Sequence, residues 1–228
     1  MSSTELRQQI KATAKENFKK QWGVSILLPL IVGAVVGILT GIPFLGWFGA
    51  PAIAILIGGP LMVNMERQHI KIFNGERAGF EPLFSEFKER WERKAGGIAW
   101  MALWMFLWSF VGMFTFGIVT IVKALSYMMT PYILADCPNV KAKDALKLSM
   151  RMTQGHKMDL FVAYLSFIGW LLLSIITCGI LAIVYVSPYM NVTFAGYYTK
   201  LKAKAIESGA VSAEEFNPAG EAKPANAN

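Results

Sequence analysis

The 228-residue chain carries 22 Lys and Arg against 15 Asp and Glu, a formal net charge of +7, yet only 16% of its residues are charged and 54% are hydrophobic. Ordinary soluble domains carry about 25% charged residues, so too few polar side chains remain here to cover a water-facing surface. The proportions point to a membrane and exclude a disordered chain or, with two cysteines, a disulfide-stapled miniprotein. The excess of base would suit nucleic acid only if it formed one soluble patch, and its placement along the chain excludes that partner.

The first element predicted is an amphipathic basic helix. Ser2 and Glu5 have capping-box spacing, and Leu6, Ile10, Ala14, Phe18 and Trp22 recur every four residues opposite the lysines. An uncharged run then occupies 22–40, and five more follow at 46–65, 97–115, 117–135, 160–177 and 179–199, all but one free of charge. Each has the length that an α-helix needs to cross a hydrocarbon core. None has the polar alternation of a barrel strand. Short turns at 41–45, 115–118 and 177–180 join them into hairpins over about 22–65, 97–135 and 160–199. The first run exceeds a typical signal-peptide core and no small-x-small cleavage pattern follows it, so it reads as an uncleaved span.

The charges fix the orientation. Residues 1–21, 66–94, 136–159 and the segment after 199 hold 21 of the 22 Lys and Arg and all 15 acids. The hairpin turns hold none. Lys and Arg resist translocation, which places both termini and both long loops in the cytoplasm. The second and third hairpins also follow short basic stretches. Phe80, Leu83, Phe84, Phe87 and Trp91 give one an aromatic face among Lys88, Arg90, Arg93 and Lys94. In the other, Ala142, Ala145, Leu146, Ser149 and Met152 oppose Lys143, Lys147 and Arg151. Such helices either lie in the headgroup layer, drawn by anionic lipid, or pack on the ends of the bundle. With a Gly-Ile pair at each turn (Gly41, Gly117, Gly179), the simplest description is one unit used three times.

Two features bear on packing and activity. Gly33, Gly37 and Gly41 form a small-residue ridge, and Gly46, Ala50, Ala54 and Gly58 form another. The ridges are expected to face each other, with a homodimer through Gly33–Gly41 as the alternative. Lys123 is the one ionisable side chain inside a span, about 9 Å from the turn at Gly117 by helical rise. It shares a face with Thr120, Tyr127 and Thr130, and Tyr185 and Tyr189 add polarity on the last span. Lys123, Tyr127, Thr130, Tyr185 and Tyr189 are thus a candidate polar cavity, against the plainer reading that Lys123 snorkels to the interface. No Asp or Glu falls inside a span, and His69 and His156 read as solvated loop residues without the neighbours that metal binding or triad chemistry needs. Cys137 and Cys178 fall on opposite sides of the membrane and cannot pair. The ladder Trp100, Trp104 and Trp108 reads as packing or lipid contact.

The strings IVKALSYMMTPYILADCP (121–138), DALKLSMRMTQGHK (144–157), LFVAYLSFIGWLLLS (160–174) and PYMNVTFAGYY (188–198) resemble the bacterial domain-of-unknown-function family 975 of integral membrane proteins. AKENFKKQWGVSILL (14–28) and LFSEFKERW (83–91) fit it too. The chain is similar, more weakly, to the membrane domain attached to some glycerophosphodiester phosphodiesterases. The resemblance implies location and architecture and supplies no catalytic, cofactor or metal residues.

The expectation is an all-α, six-span protein of the bacterial plasma membrane with cytoplasmic termini, a membrane domain over 1–205 and a flexible tail over 206–228. Its expected role is that of a non-enzymatic module without cofactor. It would contact lipid, including anionic lipid, or a membrane-protein partner or second copy through its amphipathic helices, with Phe80, Phe84, Phe87 and Trp91 as the interface. A small permease or exporter around Lys123 is the alternative, and a membrane enzyme comes third.

Overall fold

The computed structural model describes residues 3–42 and 49–218, and it contains helices and turns with no strand among the described residues. Helix α1 spans Ser3–Lys20 and α2 Trp22–Gly41. Helix α3 runs over Gly49–Phe73, with a π turn at Ala54–Gly58. Helix α4 is the short Glu81–Ser85, α5 is Trp91–Phe114 and α6 is Ile118–Asp136, the last interrupted at 128–129. Then come α7, Ala142–Met152, and α8, Lys157–Ile176, with a turn at 166–167. Helix α9 covers 180–207 with a π turn at Ala182–Val186, and α10 is Ala213–Phe216.

Five of these, α2, α3, α5, α6 and α8, are long and apolar enough to cross a membrane. The sixth expected span lies in α9, which is helical throughout but is not among the five; residues 192–198 there are all buried in the protein. At one end of the molecule the helices carry large apolar side chains outward, with Phe116 98%, Phe114 85% and Ile176 79% exposed. The buried core sits at the other end, between α1, the second halves of α3 and α6, α7 and the second half of α9.

The described hairpin turns are built alike. Phe116 and Gly117 take φ of 49° and 80°, and Cys178 and Gly179 take 51° and 83°. Each glycine N–H closes a five-residue loop onto the preceding helix, Gly117 to the Gly112 carbonyl and Gly179 to that of Ser174, both at 2.8 Å. Left-handed backbone at two successive positions is what ends the helix, and glycine takes the second at no steric cost. This repeat was readable from Gly-Ile. The first turn and Gly46 of the second ridge lie outside the described residues.

Four expectations change. The small-residue ridges do not interlock: Gly33, Gly37 and Gly41 would each accept a Cβ with nothing within 4 Å, and Gly58 meets Val36 instead, at 3.2 Å. The stretch 80–91 is not one amphipathic helix. It breaks after Ser85 and passes through Arg90 at φ 49°, which turns Leu83 into the core and leaves Phe84 53% exposed. Residues 206–218 are not a free tail either. Val211 and Phe216 are buried, Ser212 and Glu215 form a capping box, and Glu215 pairs with Arg151. Residues 219–228 lie outside the described part. Finally, the apolar stripe Leu6, Ile10, Ala14 and Phe18 of α1 is at most 2% exposed, as are Ala145 and Ser149 of α7. These faces are covered by protein.

Segment 86–94, read as topogenic charge, bolts helix ends together. Pro60 has no N–H to offer the carbonyl of Leu56 four residues back, and the Trp91 indole donates to that oxygen at 2.7 Å. Pro138 leaves Leu134 in the same position, and Arg93 donates to the carbonyls of Leu134, Cys137 and Val140 at 2.5, 3.3 and 2.9 Å. Lys94, 2% exposed, donates to Asn64 Oδ1 at 2.7 Å and the Glu86 carbonyl at 2.8 Å. Arg67 joins Glu86 at 2.6 Å and the Ala135 carbonyl at 2.9 Å. Buried cations persist when each is hydrogen-bonded to backbone or carboxylate oxygen.

Candidate functional site

The five residues of the expected polar cavity are not brought together. Lys123 lays its ammonium over the Trp108 ring, 4.1 Å from the centroid. The same indole donates to the Tyr127 hydroxyl at 2.9 Å, and Thr120 donates to the Trp108 carbonyl at 3.1 Å. This polar face therefore seams α6 to α5, and Trp108 is its hub. Thr130 is fully buried, its hydroxyl without a partner. Tyr185 and Tyr189 belong elsewhere. They pack against Phe18, with centroids at 5.8 and 6.2 Å, and the Tyr189 hydroxyl donates to the Lys11 carbonyl at 3.2 Å. Lys11 in turn donates to Ser166 at 2.6 Å and caps the Phe167 ring at 4.4 Å. Ser166 of α8 and Tyr185 and Tyr189 of α9 thus dock the N-terminal helix.

A different cavity opens where five helices converge. Helix periodicity places residues four apart on one face, and three such pairs point into it: Met62 and Glu66 of α3, Met101 and Met105 of α5, and Met128 and Tyr132 of α6. Phe161 and Tyr164 of α8 and Met190, Asn191 and Phe194 of α9 complete the wall. The volume is about 570 Å³, within the range of small-molecule sites. Five methionines line one space, and unbranched thioether side chains adapt to ligands of varied shape. Tyr164 is 42% exposed, so the cavity opens between helices toward the outside of the bundle.

One end of this apolar space is polar. Glu66, 4% exposed, is the charged side chain in the wall. Its Oε2 lies 3.1 Å from Nδ1 of His69 one turn later, and the Tyr132 hydroxyl interacts with the same carboxylate. His69 is fully buried, and its Nε2 has no partner. The reading of His69 as a solvated loop residue is therefore wrong, and an acid does lie inside a membrane-length helix. Glu66 and His69 continue a helix where a loop is expected. The signal for the longer helix was present: Asn74-Gly75 is a helix stop, Gly75 has φ 81°, and α3 accordingly runs on to Phe73. His156 is half-buried, its Nδ1 3.0 Å from Asp159 at the start of α8.

Residues 99–205 match the model of a family described as Protein of unknown function (DUF975). That segment is similar to the family over those residues. No curated protein and no solved structure matches the chain. The matched segment contains every wall residue of the cavity except Met62 and Glu66, so the charge in the wall comes from α3, outside the matched residues. The family description carries no activity from which roles could be assigned.

Proposed function

We propose that this is a six-span protein of the bacterial plasma membrane, cytoplasmic at both termini, that binds a lipid-like amphipathic molecule in the cavity between α3, α5, α6, α8 and α9. The observation that carries the reading is the cavity's chemistry: a space of about 570 Å³ whose wall is thioether, aromatic and aliphatic except at one end. Such a wall gains from apolar burial, roughly 25 cal/mol per Å². It favours holding a molecule over transforming one. The outward apolar surface around Phe114, Phe116 and Ile176 supports a bilayer setting, since patches of this kind are not left to water in monomeric soluble proteins.

This is a non-enzymatic module that contacts lipid, as the composition suggests, but through an internal cavity. The amphipathic faces of α1 and α7 are already covered by protein and have little left to offer a headgroup layer. The permease alternative loses its centre, because Lys123 is held on Trp108.

Extraction in mild detergent followed by native mass spectrometry tests the reading. A lipid-like mass should co-purify with the wild-type protein and be lost from Met101→Trp, whose indole would fill the space. Equal retention by both proteins overturns it.

A further inference from the structure

Glu66 is the charged residue among the described cavity residues, and no Lys or Arg shares the wall. The nearby cations are held elsewhere. Lys94 binds Asn64 and the Glu86 carbonyl, Arg67 binds Glu86 and the Ala135 carbonyl, Lys11 sits on Ser166 and Phe167, and Lys123 sits on Trp108. An acid in an apolar wall with no basic side chain across from it carries an uncompensated cost of burial. A His69 that donates Nδ1–H from a neutral ring orients the Glu66 carboxyl without adding a positive charge.

We infer that the cavity selects an amphiphile with a cationic head, a protonated amine or other ammonium seated at Glu66, with its chain among the methionines. The inference rests on the amphiphile-binding reading above and names the class of head. An ammonium neutralises the Glu66–His69 pair at the point of burial. A hydroxyl head leaves the charge uncompensated, and a carboxylate or phosphate adds a second negative charge beside it. Other residues of the wall suit a cation as well. Tyr132 and Tyr164 offer ring faces, and the thioethers of Met62 and Met190 are polarisable neighbours. Asn191 adds a side-chain carbonyl as an acceptor.

The test uses the full-length protein in phosphatidylcholine nanodiscs, labelled by a dodecyl alcohol bearing a photoactivatable diazirine. Dodecylamine, dodecanol and dodecanoate compete with the label. Dodecylamine should displace it at about tenfold lower concentration than dodecanol, the preference that one charge-assisted hydrogen bond supplies, and dodecanoate should be weakest. In Glu66→Gln the amine and the alcohol should become equivalent, with alcohol binding retained. Equal potency of the three probes on wild type, or preference for dodecanoate, overturns the cationic head while leaving amphiphile binding intact. Labelling that is not saturable, or that Met101→Trp fails to remove, overturns the amphiphile reading and this inference with it. The wild-type ranking decides the matter even if Glu66→Gln folds poorly.

Discussion

The backbone of Gly196 lies flat against the ring of Phe73: a Cβ added there would sit 2.3 Å from Cε2 and 2.7 Å from both neighbouring ring carbons. Helices α9 and α3 can approach this closely because α9 offers hydrogen where any other residue has a side chain. Gly97 does the same against Leu134, with 2.5 Å to Cδ1. Gly112 does so against Thr120, with 2.0 Å to Oγ1; the glycines that matter for packing include these, and not the conspicuous GxxxGxxxG of α2.

Gly196→Ala should destabilise the protein by about 1–3 kcal/mol, the cost of overpacking a fixed contact, because a buried ring cannot move aside as a flexible chain end would. Gly33→Leu should leave the melting temperature unchanged, since an added Cβ there meets nothing within 4 Å. Thermal unfolding in one detergent, wild type and variants in parallel, checks both. If the exposed ridge of α2 serves a second copy of the chain, Gly33→Leu will also convert a dimer to a folded monomer in light scattering.

Trp91 and Phe84 separate bolt from surface within one segment. Trp91→Phe keeps the ring but strands the Leu56 carbonyl, which Pro60 cannot serve, and an unsatisfied oxygen costs about 1–3 kcal/mol. Phe84→Asp changes a side chain that is 53% exposed and should stay within about 0.5 kcal/mol of wild type. Comparable losses in both variants would show that 80–91 packs as one face after all.

The all-helical fold, five helices of membrane-crossing length and the Gly-Ile turns at Gly117 and Gly179 were legible because apolar run length and glycine are local signals. The stripe Leu6–Phe18 was legible as amphipathic, but a periodic face does not say whether protein or lipid covers it. The acceptors of Trp91, Arg93 and Lys94 were not legible. Backbone oxygens have no residue signature, although Pro60 and Pro138 mark which of them are orphaned. Lys123, Tyr127 and Tyr189 share a periodicity without sharing a site, because α6 faces α5 at Trp108 while α9 faces α1 at Phe18. The cavity has no local signature for a related reason. Methionine spread over four helices reads as core until the helices are assembled around an empty space.

The two cysteines report orientation, with one refinement. Cys178 is exposed in the second described hairpin turn, so an impermeant maleimide should label it on intact cells. Cys137 is 3% exposed and its thiol lies above the ordinary range, chiefly through burial, against which Lys202 at 3.4 Å pulls down. A raised thiol has less thiolate at any given pH. Cys137 should therefore stay unlabelled after permeabilisation at pH 7, and react once the protein is denatured. Labelling of Cys178 only from the cytoplasmic side would invert the topology.

Lys123 and Trp108 should be energetically coupled. A cation on an indole contributes about 0.5–1 kcal/mol when exposed and about 2 kcal/mol when desolvated. Against this stands the cost of placing a lysine within an apolar segment, which falls toward its end because the side chain can snorkel. The two terms oppose each other, so Lys123→Met alone should move stability by little and carries weak information. The double-mutant cycle isolates the contact. Trp108→Leu should cost about 0.5–2 kcal/mol more with Lys123 present than in the Lys123→Met background. The Trp108 bond to Tyr127 is lost equally in both and cancels. Coupling near zero, measured by unfolding of the four proteins in the same nanodiscs, would mean that the ammonium is not held on the ring. Lys123 would then be free to serve a ligand instead.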